Sequence, residues 1–194
     1  MEDKFIGRKE ELEILNDALE SHEAEMVAVI GRRRVGKTYL IKYAFKDKML
    51  FEITGLLNKS KTDQLENFAR HIMMFSGSPL PFKQPKSWLE AFHTLTIILD
   101  QKDLTEKKVI FFDEIPWMAS PKSGFLTGLG FFWNSWAVNK NIVVAICGSA
   151  ASWMIQKIVN NTGGLYNRIT KRVYLKPFNL AETELYLKSR NIQF

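Results

Sequence analysis

What this chain lacks narrows it before any motif does. It holds one cysteine, Cys147, so no disulfide can form within it, which suits a reducing compartment. No apolar run exceeds IVVAIC (142–147), far short of the roughly 20 residues a membrane-spanning helix needs. The opening MEDKF is not a secretory leader. A cytoplasmic address without a membrane partner is the expectation. No internal repeat is evident, which argues against a solenoid or fibrous array. A dense basic block is also missing: the net charge of +6 and pI near 9.3 come from residues spread along the chain. Such a balance permits attraction to nucleic acid without pointing to it.

What remains is ordinary globular composition, 46% hydrophobic and 25% charged over 194 residues, enough for one domain with a substantial core. RKEELEILNDALES (8–21) places Leu12, Leu15 and Leu19 at helical spacing, with Glu10 and Glu11 at the positive end. EMVAVI (25–30) predicts a buried strand, TYLIKYAF (38–45) a helix and MLFEITGL (49–56) a second strand. Ser60 with Asp63 predicts a helix start ahead of Leu65, Phe68, Ile72 and Phe75; Ser87 with Glu90 predicts another ahead of Trp88, Phe92, Leu95 and Leu99. Between them, SGSPLPFKQPKS (76–87) carries Pro79, Pro81 and Pro85 and predicts a loop.

KVIFFDE (108–114) predicts the third strand, and a loop with Pro116, Pro121 and Gly124 leads to a helix over 125–138. NIVVAICGS (141–149) is the fourth strand, ASWMIQKIV (151–159) a short helix, NNTGGLYNR (160–168) a turn-rich segment and KRVYLKPF (171–178) a fifth strand; Asn179 caps a last helix. Apolar strands alternating with helices make an α/β fold with a mostly parallel sheet covered on both faces.

The segment VAVIGRRRVGKTYL (27–40) interrupts this pattern with charge. Gly31, Gly36, Lys37 and Thr38 satisfy G-x-x-x-x-G-K-[ST] between a strand and a helix. Glycines let backbone N–H groups approach phosphate oxygens, and the helix N-terminus adds positive potential. Lys37 is expected to reach the β and γ phosphates and Thr38 to ligate Mg²⁺. The candidate cofactor-binding segment runs through Gly31, Arg32, Arg33, Arg34, Val35, Gly36, Lys37, Thr38 and Tyr39. The motif leaves the three arginines free, and most of them are expected to face solvent or a neighbouring segment. The plain alternative is a glycine-bounded turn with solvated basic residues.

VIFFDE (109–114) ends an apolar strand in two carboxylates. Asp113 is expected to help Thr38 hold the metal, and Glu114 to orient and polarise an attacking water, because ligands gather at the carboxyl edge of open α/β sheets. Ser149 ends the fourth strand, where it either contacts the γ-phosphate or water, caps the helix beginning near Ala150, or does both. Cys147 is expected to be a small buried hydrophobe.

FIGRKEELEIL, GRRRVGKTYL, VIFFDEIPWM, ICGSAASWM and GLYNRITKRVYLKPFNLAE together resemble the AAA+/STAND-type P-loop ATPases often called the archaeal ATPase family, related to the origin-recognition ATPases. The resemblance covers essentially the whole chain. It implies a three-layer core with strand order 5-1-4-3-2 and ATP at the tips of strands one, three and four. It also implies that Phe5, Ile6, Gly7 and Arg8 border the adenine, where the residues themselves indicate only a helix behind a hydrophobic staple. Arg168 falls where relatives place an arginine that acts as a finger toward a γ-phosphate, often in a neighbouring subunit; its plainer role is a loop or helix-end salt bridge.

Relatives add a helical lid and usually a winged helix after the fifth strand and its helix, whereas this chain stops at Phe194. The expectation is therefore one nucleotide-binding domain over 1–194, the core of a longer protein or a reduced form of it. Catalysis is assigned to Lys37, Glu114, Ser149 and Arg168, with ATP and Mg²⁺ as cofactors. The leading function is Mg²⁺-dependent ATP binding and hydrolysis. The alternative is a slow nucleotide-dependent switch acting on a protein partner, a second copy or nucleic acid, for which IPWMASPKSGF (115–125) is an aromatic-rich surface candidate, although Trp117 suits the core better. Transfer of phosphate to a small acceptor is a third class, with no separate acceptor site evident.

Overall fold

The computed structural model describes residues 5–77, 83–160, 165 and 167–192. Five strands, β1 (Glu25–Gly31), β2 (Met49–Thr54), β3 (Lys108–Asp113), β4 (Ile142–Gly148) and β5 (Lys171–Leu175), form one sheet in the order β2-β3-β4-β1-β5. Every neighbouring pair is parallel. This is the order 5-1-4-3-2 seen from the other edge. Parallel pairing requires each strand to return through a crossover, and here the crossover helices cover both faces.

The pleat divides the strand side chains between two cores. Met26, Ala28, Ile30, Ile110, Phe112, Val144 and Ile146 face one layer. It contains α3 (Lys61–Ser76), α4 (Trp88–Leu99), α6 (Phe125–Ser135) and α7 (Ala151–Met154), the last continuing as a π turn over Ile155–Val159. Val27, Val29, Val109, Phe111, Val143, Ala145 and Cys147 face the other layer, built from α1 (Lys9–Glu20) and α2 (Lys37–Ala44). The larger core centres on Phe92, whose ring lies 5.4–6.0 Å from those of Phe68, Trp88, Phe112, Phe125 and Phe132. No described helix is long and apolar enough to cross a membrane.

Several predicted bounds move. β2 ends at Thr54 rather than residue 56, and β5 at Leu175 rather than residue 178; Pro177, without an N–H, cannot extend a ladder. The predicted loop after β3 contains a helical turn, α5 (Ile115–Met118), with Pro116 in its first turn, where a missing N–H costs nothing. The predicted helix over 125–138 stops at Ser135 and resumes as a 3₁₀ turn over Ala137–Asn139. Segment 115–125 is not an aromatic surface: Ile115, Met118, Ala119 and Phe125 are buried, and Trp117 is half-buried rather than in the core. Residues 1–4, Pro79, Pro81 and most of the turn-rich 160–168 stretch lie outside the described residues. The capping boxes at Ser60 and Asn179 form as their sequences require.

Asp100, at the end of α4, accepts from the Trp136 indole N–H (2.7 Å) and the Lys140 ammonium (2.8 Å), tying α4 to the turn after α6. Lys140 first, then Trp136, holds its carboxyl below the ordinary value of 3.8. A lowered folded pKa stabilises above the unfolded value, and that contribution disappears as pH falls through the folded value. Because Asp100 is half exposed, Asp100→Asn should cost no more than about 1 kcal/mol at neutral pH. Thermal unfolding should show the gap between parent and variant closing below about pH 4; a gap independent of pH would contradict the assignment.

Candidate functional site

The charged segment connects the end of β1 to the start of α2. Gly31 ends the strand so closely packed that a Cβ there would lie 2.5 Å from the Leu175 carbonyl oxygen. Arg34 (φ 68°) and Gly36 (φ 92°) take left-handed conformations that turn the chain into the helix. Arg32, Arg33 and Arg34 are exposed and Val35 is half-buried. Lys37 is buried, and its ammonium folds back over the loop to donate to the Arg32 carbonyl at 2.9 Å. The loop closed by an ammonium, with a helix N-terminus behind it, is a cradle for an anion.

Two further strand tips reach this cradle. Asp113, at the end of β3, accepts from the Thr38 hydroxyl at 3.0 Å through Oδ2 and from the Cys147 thiol at 2.6 Å through Oδ1. The next residue, Glu114, has φ 51° and opens the α5 turn. Its Oε2 accepts from both the backbone N–H and the hydroxyl of Ser149, each at 2.8 Å. The capping role for Ser149 is not taken: the N-cap position of α7 is Ala150, which carries no capping group, and the Ser149 hydroxyl donates to Glu114 instead. Burial, then the neighbouring Asp113, pushes the Cys147 thiol well above its ordinary pKa.

A cavity of about 720 Å³ adjoins the loop, lined by Phe5, Ile6 and Arg8 from the N-terminal segment and by Arg34, Val35, Gly36 and Tyr39 from the loop and α2. Its far wall includes Pro177, Phe178, Tyr186 and Arg190, from the turn after β5 and from α8 (Leu180–Ser189) with the residue beyond it. Glu182 fastens the two walls together, accepting the Arg8 N–H (3.2 Å) as well as the Asn179 N–H (3.0 Å). Arg8 also donates to the Lys176 carbonyl (2.6 Å), with its guanidinium 4.5 Å from the Phe178 ring centre. Tyr39 is exposed and stacks on Phe5, 5.5 Å between centroids. Gly7 lies beside this wall, 2.7 Å from a Cβ position to Glu182 Oε1.

The structure therefore gathers Gly31, Lys37, Thr38, Asp113, Glu114 and Ser149 at one sheet edge, with Gly7 and Arg8 at the adjoining cavity. It does not bring Arg168 there. Arg168 lies in the turn before β5, at the amino edge of the sheet, where its Nε donates to Asn134 Oδ1 at 2.7 Å.

Sequence reading missed three parts of this site. The cavity wall from Pro177 to Arg190 begins inside a segment that carries the family resemblance, yet nothing in the sequence assigns these residues to the site, and only the Asn179–Glu182 capping box marks their local structure. Cys147 looks like any apolar strand residue. Gln64 looks like a helix surface residue, yet it is buried, accepts from the Leu56 N–H (2.9 Å) and donates to the carbonyls of Leu56 (2.6 Å) and Trp117 (3.2 Å). It clamps the loop after β2 to the turn that carries Glu114.

Comparison with known proteins agrees with this geometry. Residues 5–189 match the family described as ATPase domains predominantly from Archaea. The chain belongs to that family. An uncharacterized protein of Methanocaldococcus jannaschii is 27% identical over 173 residues, spanning 89% of this chain and 36% of its own length. A second protein of that organism, described as an uncharacterized ATP-binding protein, is 46% identical over 46 residues, 24% of this chain and 78% of its own length. Among solved structures, a Walker-type ATPase of Pyrococcus abyssi superposes with TM-score 0.64 at 19% identity, over 100% of this chain and 61% of that one. The ORC2 protein of Aeropyrum pernix, solved in ADPNP–ADP complexes, gives 0.60 at 19%, over 97% and 54%.

At such identities the likeness to solved structures is one of fold. The chain spans about a third of the first M. jannaschii relative and three-fifths of the P. abyssi chain. For this archaeal-type ATPase domain, the loop packing makes a direct prediction. Gly31→Ala must displace the Leu175 backbone and should destabilise the fold by about 1–3 kcal/mol; an unchanged urea midpoint would contradict the close approach.

Proposed function

We propose that this domain binds ATP together with Mg²⁺ and hydrolyses it to ADP and phosphate. The observation that carries the reading is the 3.0 Å bond between Thr38, on the phosphate loop, and Asp113, at the tip of β3. The donor set suits magnesium: a hydroxyl and a carboxylate are hard oxygen ligands, and Mg²⁺ commonly takes few protein ligands beside water and phosphate oxygens. Among the described residues no group of three or more His, Cys, Asp or Glu side chains could hold a metal alone, which favours an ion that arrives with the nucleotide.

On this reading the amides between Gly31 and Thr38 hold the phosphate chain, and the Lys37 ammonium exchanges the Arg32 carbonyl for β and γ oxygens. Thr38 and Asp113 would hold Mg²⁺, which would supply neutralisation of charge on the phosphate oxygens. Glu114 orients a water and accepts its proton as the water oxygen bonds to the γ-phosphorus, while the bond from that phosphorus to the β-bridging oxygen breaks and ADP leaves. Ser149 senses the γ-phosphate by exchanging its hydroxyl bond to Glu114 for one to a phosphate oxygen, which frees that carboxylate for the water. Phe5, Ile6, Gly7 and Arg8 border the base in the adjoining cavity. Arg168 sits at the opposite sheet edge and would act as a finger only toward a neighbouring copy.

Lys37→Ala should abolish ATP binding measured by calorimetry. Glu114→Gln should retain binding while single-turnover hydrolysis falls at least about 100-fold. Hydrolysis by Glu114→Gln at the parent rate would remove Glu114 from the reaction.

A further inference from the structure

Cys147 has no part in the reactions above, yet its thiol is bonded to the carboxylate on which the metal site depends. Asp113 is 4% exposed, and its two oxygens have different partners: Oδ2 takes the Thr38 hydroxyl and Oδ1 the Cys147 thiol. Cys147 lies on β4, between β1 and β3, with Val29 as its register partner on β1. It is fully enclosed against the α1 and α2 layer. A side chain so confined has few rotamers open to it, and so gives the carboxylate a fixed anchor.

We propose that Cys147 is a positioning residue for Mg²⁺: by holding Oδ1 it sets the Asp113 carboxylate so that Oδ2 stays against Thr38, on the side where the nucleotide's metal is held. The proposal rests on the reading of Thr38 and Asp113 as the metal-holding pair. It requires a donor at this position and a small side chain. Valine fills the space without a donor and leaves Oδ1 buried and unpaired, a condition that drives a carboxylate to reorient or take in water. Serine keeps a donor.

The test compares parent, Cys147→Ser, Cys147→Val and Cys147→Ala by calorimetric ATP affinity in EDTA and in Mg²⁺, with thermal unfolding in the absence of nucleotide. The ratio of the two dissociation constants reports the metal separately from the phosphate cradle. The parent and Cys147→Ser should keep that ratio. Cys147→Val and Cys147→Ala should lose roughly 10- to 100-fold of it, with affinity in EDTA unchanged. Cys147→Ala serves if the valine variant does not fold. An undiminished ratio in the donor-less variants would overturn the proposal, as would an equal loss in Cys147→Ser, which would mean that packing alone matters. A parent that gains nothing from Mg²⁺ would instead overturn the metal reading itself, and the proposal with it.

Discussion

The bond between Thr38 and Asp113 joins residues 75 positions apart, and the candidate site is organised around it. One partner sits at the first turn of α2 and the other at the last residue of β3. Neither can be in place unless β1 and β3 end at the same edge of the sheet. The parallel order β2-β3-β4-β1-β5 guarantees this, because in such a sheet all carboxyl ends point one way and the connecting helices begin there. β4, lying between β1 and β3, then brings Cys147 and Ser149 to the same two carboxylates.

Around that bond the site divides into enclosed and open parts. Strand tips and buried groups are tightly constrained: Asp113, Cys147 and Gln64 are all enclosed, and each is bonded to another segment. The three loop arginines and Tyr39, by contrast, are exposed and line or flank the open side. This is the distribution expected when binding energy for a phosphate chain comes from fixed backbone and a few placed charges. The pairing of Glu114 with Ser149 has the same character, since one carboxylate oxygen accepts two donors from the tip of the adjacent strand.

Much of this was legible in the sequence because it follows from local chemistry. The glycine and lysine spacing of 31–38, the apolar strands, and the Ser60 and Asn179 caps all depend on neighbours within a few residues. What sequence could not supply was long-range: that Cys147 meets Asp113 across a strand pair, that Gln64 reaches Trp117, and that Glu182 ties α8 to Arg8. A cysteine in an apolar strand and a glutamine on an amphipathic helix look ordinary until the sheet assembles beside them. The overextended β5 and the missed α5 turn have a common cause in proline, whose effect depends on whether its absent N–H was needed.

On the proposed reading, the backbone of the Gly31–Thr38 segment grips a nucleotide's phosphates while Thr38 and Asp113 face the metal. A crystal structure of the chain with a non-hydrolysable ATP analogue and Mg²⁺ tests it most directly. The expected result is phosphate density within the loop, the Lys37 ammonium moved from the Arg32 carbonyl to a phosphate oxygen, and a cation beside Thr38. A nucleotide bound elsewhere, with Lys37 still on Arg32, would contradict it.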